Sequence, residues 1–200
     1  MYGKTRVLDL SSAAAATVLG SRSLTRGLIG SVVFAGLTIV GANVYIPLMP
    51  VPVTLQTLFV LLAGAAIGGR YGTLSQILYV GMGAAGVPVF AGHLGGLSVF
   101  AGPTGGYLLS FLIVPYLVSR LMGRLPTLRR QVFAFSVGTG LIFVLGVSHL
   151  AVIYTSDLSL ALRLGMLPFI PGAIFKIFAA TSITRSYQAL HSRSRSSGAN

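Results

Sequence analysis

Phe169-Ile170-Pro171-Gly172-Ala173-Ile174-Phe175-Lys176-Ile177-Phe178-Ala179 is an apolar stretch interrupted by a single charge. Lys176 is one of two lysines in the chain, its nearest basic neighbours are Arg163 and Arg185, and no acid follows it within four helical turns. An ammonium at the centre of a bilayer costs about 2.5–3.5 kcal/mol on insertion scales. Two readings meet that cost. Either the long stem lets the ammonium snorkel to water, or an anionic ligand pairs with it through a charge-assisted hydrogen bond of about 1.5–3 kcal/mol. A position about two to three turns into the apolar run favours the ligand.

Composition places this stretch in a membrane. Of 200 residues 54% are hydrophobic and 8% charged, with neither cysteine nor tryptophan, whereas a soluble domain is about 25% charged. The lack of cysteine removes disulfides, thiolate metal sites and cysteine nucleophiles. Asp9 and Asp157 are the only acids, which leaves no material for paired-carboxylate catalysis or carboxylate-rich metal sites, and no two histidines stand at metal-ligand spacing. Neither catalytic residues, metal nor cofactor are expected. The net charge of +12 does not indicate nucleic acid, because the basic residues flank apolar runs, as membrane topology requires, rather than tracking a phosphate backbone.

The apolar runs give six spans, approximately Gly27–Ile46, Val53–Gly68, Tyr71–Ala85, Gly105–Met122, Val132–Tyr154 and Pro168–Tyr187. Several are short of the roughly 20 residues a bilayer requires. The expected fold is an all-α integral membrane protein of six transmembrane helices. Six spans put 12 of the 14 basic residues on one side, leaving Arg163 opposite and Lys176 within a span. The positive-inside rule then places both termini in the cytoplasm of a multi-pass cell-membrane protein. Residues 1–26 read as a basic cytoplasmic extension, 27–190 as the membrane domain and 191–200 as a basic cytoplasmic tail.

The outer connections Asn43–Pro52 and Gly86–Thr104 are apolar and rich in glycine and proline. Solvated loops are polar, so these are expected to fold back and cap a ligand cavity, where irregular backbone is tolerated at membrane depth. Permanent packing on the bundle is the plainer alternative. Gly102-Pro103-Thr104-Gly105-Gly106-Tyr107 is not a nucleotide loop, since Tyr107 and Leu108 replace the required lysine and hydroxyl residue. It suits a tight turn into the fourth span, with Thr104 as a helix cap or the backbone at Gly105 turned to a ligand.

Gln56, after Pro50-Val51-Pro52-Val53-Thr54-Leu55, is a rare amide in the apolar body; it serves helix packing or a polar ligand, because a buried amide needs partners. His149 is a relay, a ligand contact or an interhelical hydrogen bond, and His93 in the outer connection meets ligand or water. Ser31, Ala35, Thr38 and Ala42 recur at intervals of four, three and four, putting small side chains on one face of the first span. That face packs inside the bundle or docks another protein.

Pro50–Thr57, Gly86–Gly92, Gly102–Leu108 and Pro168–Lys176 together resemble, in order and spacing, the BioY family, the biotin-binding S components of energy-coupling factor (ECF) transporters. The resemblance covers about 27–190. It implies a six-helix membrane protein that takes biotin from outside into a cavity capped by its outer loops. Delivery would use a membrane coupling (T) subunit and two cytoplasmic ATPase subunits. Lys176 would then meet the biotin carboxylate, and the Ser31, Ala35, Thr38 and Ala42 face would dock to the coupling subunit. The family pattern has Asp where this chain has Ala173, an acceptor for the ureido N–H groups. Asn43, Gln56, Tyr107, His149 or backbone carbonyls are the remaining candidates for that role.

The expected function is therefore a non-enzymatic substrate-capture subunit for biotin. A carrier for another small carboxylated vitamin or precursor, or a membrane channel, is the alternative. An intramembrane enzyme is disfavoured: Ser148 and His149 are its only adjacent pair, and neighbouring helical residues point about 100° apart.

Overall fold

The structure of the protein is a computed structural model that describes residues 5–123 and 126–197, with side chains from Ser23 to Leu190. Lys4, Arg124 and the side chains of Arg6, Asp9, Arg22, Arg193 and Arg195, on which part of the topology reading rests, lie outside the described residues. The fold is mostly helical. In chain order it contains α1 (Thr5–Asn43), a hairpin of β1 (Tyr45–Ile46) and β2 (Val53–Thr54), α2 (Gln56–Ala66) and α3 (Gly68–Ala84). Then come α4 (Gly105–Phe111), α5 (Val114–Met122), α6 (Leu128–Leu150), α7 (Leu158–Gly165) and α8 (Ile170–Ser197).

Ser23–Asn43, Leu128–Thr155 and Leu158–Leu190 are long and apolar enough to cross a bilayer. The pair α4 and α5, bent by 43°, makes a fourth if it counts as one span. Many large apolar side chains on these helices face outward, among them Val32, Val33, Val144, Phe175 and Phe178. An outer surface this apolar belongs in lipid rather than water, and the protein is an integral membrane protein.

Each departure from the sequence reading has a local cause. The first span stops at Asn43, and Tyr45–Ile46 pairs antiparallel with Val53–Thr54, Tyr45 opposite Thr54. Pro47, Pro50 and Pro52 lack the N–H that a helix needs and push their predecessors toward extended backbone. Helices α2 and α3 meet at Ile67, where Gly68 takes φ +83°, a value that glycine adopts without a Cβ penalty. The fourth run breaks after Phe111 because Pro115 cannot donate to the Phe111 carbonyl and its ring collides there. Between the fifth and sixth runs lies a further helix, α7, which begins where Asp157 accepts from the Ser159 N–H at 2.8 Å. At α4 the Thr104 side chain makes no capping bond.

The core lies where α2, α4, α5 and α6 converge on Leu61, Phe111, Val114, Val118, Phe135 and Ile142. Helix α1 runs mainly along α3 and α2. Its small-residue face points inward: Ser31, Ala35, Thr38 and Ala42 are all buried. The Ser31 hydroxyl donates to the Tyr71 carbonyl at 2.8 Å, and Gln76 Nε2 donates to Thr38 Oγ1 at 3.2 Å. The expectation that this face docks a partner is corrected. Close helix approach is what small side chains permit, and α3 has already taken the space.

Ala35→Leu overfills this seam and should lower the thermal midpoint followed by circular dichroism in detergent, as expected for a cost of about 1–3 kcal/mol. Val33→Leu on the outward face should leave it unchanged. Equal midpoints for the two variants would contradict the inward assignment.

Candidate functional site

Helix α8 brings Ala173 and Lys176 onto one face, at i and i+3, with Phe169 one turn earlier in the chain leading into the helix. The half-buried Lys176 Nζ donates to Thr57 Oγ1 at 3.0 Å. Thr57 is placed for this by the first turn of α2, which follows directly on β2. Around the ammonium lies a cavity of about 50 Å³. Its walls are Val51, Pro52 and Thr54 from the hairpin, Tyr107 from α4, and Thr139, Ile142 and Phe143 from α6. The α6 residues stand at i, i+3 and i+4 and so share one helical face.

Tyr107 is fixed from three sides. Its hydroxyl donates to the Gly165 carbonyl at 2.7 Å, its ring stacks on Phe169 at 6.4 Å, and it lies against Gly146, where a Cβ would occupy the ring's place. A second cavity of about 280 Å³ adjoins the first. The two share Val51, Pro52 and Thr54, and Phe90, Leu94 and Val99 of the outer connection form part of the second wall. Phe90 is buried and packs edge-on against Tyr79, with centroids 5.5 Å apart.

A hydrogen-bonded chain ties these walls together. Thr54 Oγ1 donates to Gln56 Oε1 at 3.1 Å, Gln56 Nε2 donates to the Tyr79 hydroxyl, and that hydroxyl donates to the Val89 carbonyl at 3.5 Å. Hairpin, α2, α3 and outer connection are thereby joined through buried polar groups, each of which would cost about 1–3 kcal/mol if left unpaired.

Of the residues singled out in the sequence, Lys176 and Tyr107 line the first cavity and Gln56 the second. The other four line neither cavity. Exposed Asn43 donates from Nδ2 to the Ile39 carbonyl at 2.9 Å, closing the end of α1. His93 is exposed on the outer connection at φ 59°. His149 Nε2 lies 3.1 Å from the Gly102 carbonyl. Gly105 is buried where a Cβ would strike the Phe100 carbonyl and the His149 ring, so its missing side chain serves close packing.

Sequence reading did not single out Thr54, Thr57 and Thr139, the threonine hydroxyls of the first cavity. The available signal was their polarity within apolar runs, and Thr57 stands beside the Gln56 that was noticed. The electrostatics are one-sided. Neither cavity is lined by an acidic residue, and Asp157 is exposed at the start of α7. Among the described residues no cluster of three or more histidine, aspartate or glutamate side chains could hold a metal ion. The arrangement offers a cation, hydroxyls and apolar walls, which suits binding a small amphiphilic anion.

The chain is similar to known proteins in sequence and fold. The BioY family model matches residues 10–193, reaching into the segment before residue 27 that the motif resemblance did not cover. The biotin transporter BioY of Thermotoga maritima is 39% identical over 158 residues, covering 79% of this chain and 93% of that protein. A probable biotin transporter BioY of Pyrococcus horikoshii is 38% identical over 155 residues, covering 78% and 91%. Among solved structures, a crystal structure of the S-component for biotin from an ECF-type ABC transporter matches with a TM-score of 0.74 at 25% identity. That match covers 86% of this chain and 93% of the other.

Tyr107→Phe leaves the buried Gly165 carbonyl without its donor. It should lower stability by about 1–3 kcal/mol, read as a reduced thermal midpoint in detergent. An unchanged midpoint would mean that the Tyr107 bond to Gly165 does not hold α4 to the end of α7.

Proposed function

The chain belongs to the BioY family, and from that membership we propose that it captures biotin at the outer face of the cell membrane and passes it inward. Its work is transport rather than catalysis. Residues 27–190 form the membrane domain, crossing six times with α4 and α5 as one broken span, and residues 1–26 and 191–200 are basic cytoplasmic segments. The one-sided distribution of arginine supports this orientation. Energy comes from partner ATPase subunits through a membrane coupling subunit, since the chain carries no nucleotide-binding motif and its solved neighbour is an S-component of an ECF-type ABC transporter. The surface meeting the coupling subunit lies elsewhere than the buried Ser31–Ala42 face.

The observation that carries the reading is Lys176, an ammonium inside an apolar bundle whose protein partner is the neutral Thr57 hydroxyl. A carboxylate entering this cavity replaces part of the lost hydration with a full opposite charge in a region of low dielectric. Small-ligand pockets run to about 300–1,000 Å³, so the 50 Å³ cavity is the carboxylate end alone. The fused rings of biotin occupy the adjoining cavity against Phe90, Val99 and Leu108. Ala173 lines the Lys176 cavity and its side chain carries no acceptor; in the adjoining cavity the ureido N–H groups meet backbone carbonyls or Gln56. Movement of the Val51–Thr54 segment, common to both cavities, opens the path between them.

Purified protein in detergent should bind biotin saturably in isothermal titration calorimetry. Lys176→Met keeps the stem and removes the charge. Losing a hydrogen bond to a charged group, about 1.5–3 kcal/mol, corresponds to roughly 10–100-fold weaker binding. No saturable binding by the unaltered chain would remove biotin as the ligand, and a change within twofold for Lys176→Met would remove Lys176 from the site.

A further inference from the structure

Helices α1 and α8 each pack against α2 but leave a groove of about 640 Å³ between them. It shares no lining residue with either ligand cavity. Phe34 and Leu37 of α1, Phe59, Leu62 and Ala66 of α2 and Ile183 of α8 supply apolar walls. Two polar residues of the lining are engaged with the protein itself. Thr184 returns its hydroxyl to the Ala180 carbonyl at 2.7 Å, and Gln188 Oε1 accepts from Gln131 Nε2 at 3.0 Å. A groove that side chains leave open forfeits van der Waals contacts along its walls, and an acyl chain restores them.

One end of the groove is basic. Arg26 precedes Leu37 by about three helical turns and so lies on the same face of α1. Gly30 on that face comes so close to the end of α2 that a Cβ would strike the Ile67 side chain. Nearer the start of α1, Gly27 gives its side-chain space to the Tyr71 ring. That contact brings the adjacent residues, Arg26 and Arg70, to the same end of the groove, and both are exposed. Neither arginine is paired with an acid among the described residues, and Asp157, the one acidic side chain described, stands at the start of α7. Exposed Tyr187 completes the lining on α8, a residue type suited to the headgroup level of a bilayer.

We infer that this groove is a binding site for an anionic phospholipid of the cytoplasmic leaflet, its acyl chain against Phe34, Leu37 and Phe59 and its phosphate at Arg26 and Arg70. The inference rests on the membrane orientation proposed above for the leaflet, and on nothing in the biotin reading. A guanidinium presents paired donors to phosphate oxygens, and basic pockets between transmembrane helices on the cytoplasmic side suit anionic headgroups. A zwitterionic headgroup is less favoured, because it carries a cation of its own toward the arginines. The bound lipid fills the gap between α1 and α8 and holds both against α2.

The chain has no tryptophan, so a single introduced one reports on the lipid touching it. Phe34→Trp, with Tyr187→Trp as a second groove position, is compared with Val144→Trp on the outward surface of α6. Each is reconstituted in vesicles of phosphatidylcholine and phosphatidylglycerol in which one lipid or the other carries brominated acyl chains, and quenching gives the preference at that position. The groove positions should prefer phosphatidylglycerol by more than about fivefold, the effect of one arginine at a charged membrane surface, while Val144→Trp stays within about twofold. Arg26→Gln with Arg70→Gln should bring the groove preference down to that of Val144→Trp. Arg129→Gln, on α6, should leave it unchanged. Equal preferences at groove and outward positions, or a groove preference that survives loss of both arginines, overturn the site. So does a groove tryptophan shielded from both brominated lipids, as a second copy of the chain seated there would cause. Biotin does not enter the measurement, so a failure to bind biotin removes the proposed function and leaves this inference standing.

Discussion

An ammonium inside an apolar bundle must be held by something, and here the protein supplies a neutral hydroxyl. The Lys176–Thr57 hydrogen bond satisfies one donor of the lysine and leaves its charge uncompensated by any acid lining the site. Breaking such a group away from its one hydrogen-bond partner among the described residues is costly in low dielectric, so α8 and the start of α2 are held in fixed relation. Thr57 in turn depends on β2 and the prolines before it, which deliver the chain to α2 at this point and no other. The site is thus a consequence of where the hairpin ends and the helix begins.

The second structural theme is relayed polarity. Thr54, Gln56, Tyr79 and the Val89 carbonyl form one buried chain from hairpin to outer connection. Because buried polar groups must stay paired, displacing the Val51–Thr54 wall bears on the outer connection as well. Tyr107 plays the corresponding part on the other side, bonded to Gly165 and stacked on Phe169. Lys176 sits between these two braced walls, with an apolar space beside it for the body of a small molecule.

Much of this was legible in the sequence, for reasons that can be named. Lys176 stood out because one charge in an apolar run is expensive, and the apolar runs themselves became helices because a bilayer leaves the backbone few alternatives. Tyr107 and Gln56 were found as polar groups in apolar surroundings. Direction was harder. The interval pattern of Ser31, Ala35, Thr38 and Ala42 establishes a small-residue face but not its neighbour, and α3 proved to be that neighbour. Asn43, His93 and His149 suit a ligand by residue type, and Gly105 by its place at a helix start, but neither signal reports which residues face a cavity, and these four line neither one. The break at Pro115, the strand pairing of Tyr45–Ile46 and the helix after Asp157 all carried local signals. The latter two lay at or between run boundaries, and the first inside a run, where tertiary contacts decide whether a proline bends or ends a helix.

A structure of the protein with biotin bound would show which end of the ligand meets Lys176. The expected result is the carboxylate within hydrogen-bonding distance of Lys176 Nζ, with the fused rings in the adjoining cavity beside Phe90 and Val99. A carboxylate turned toward the outer connection, with the ureido ring or no ligand atom at Lys176, would contradict it.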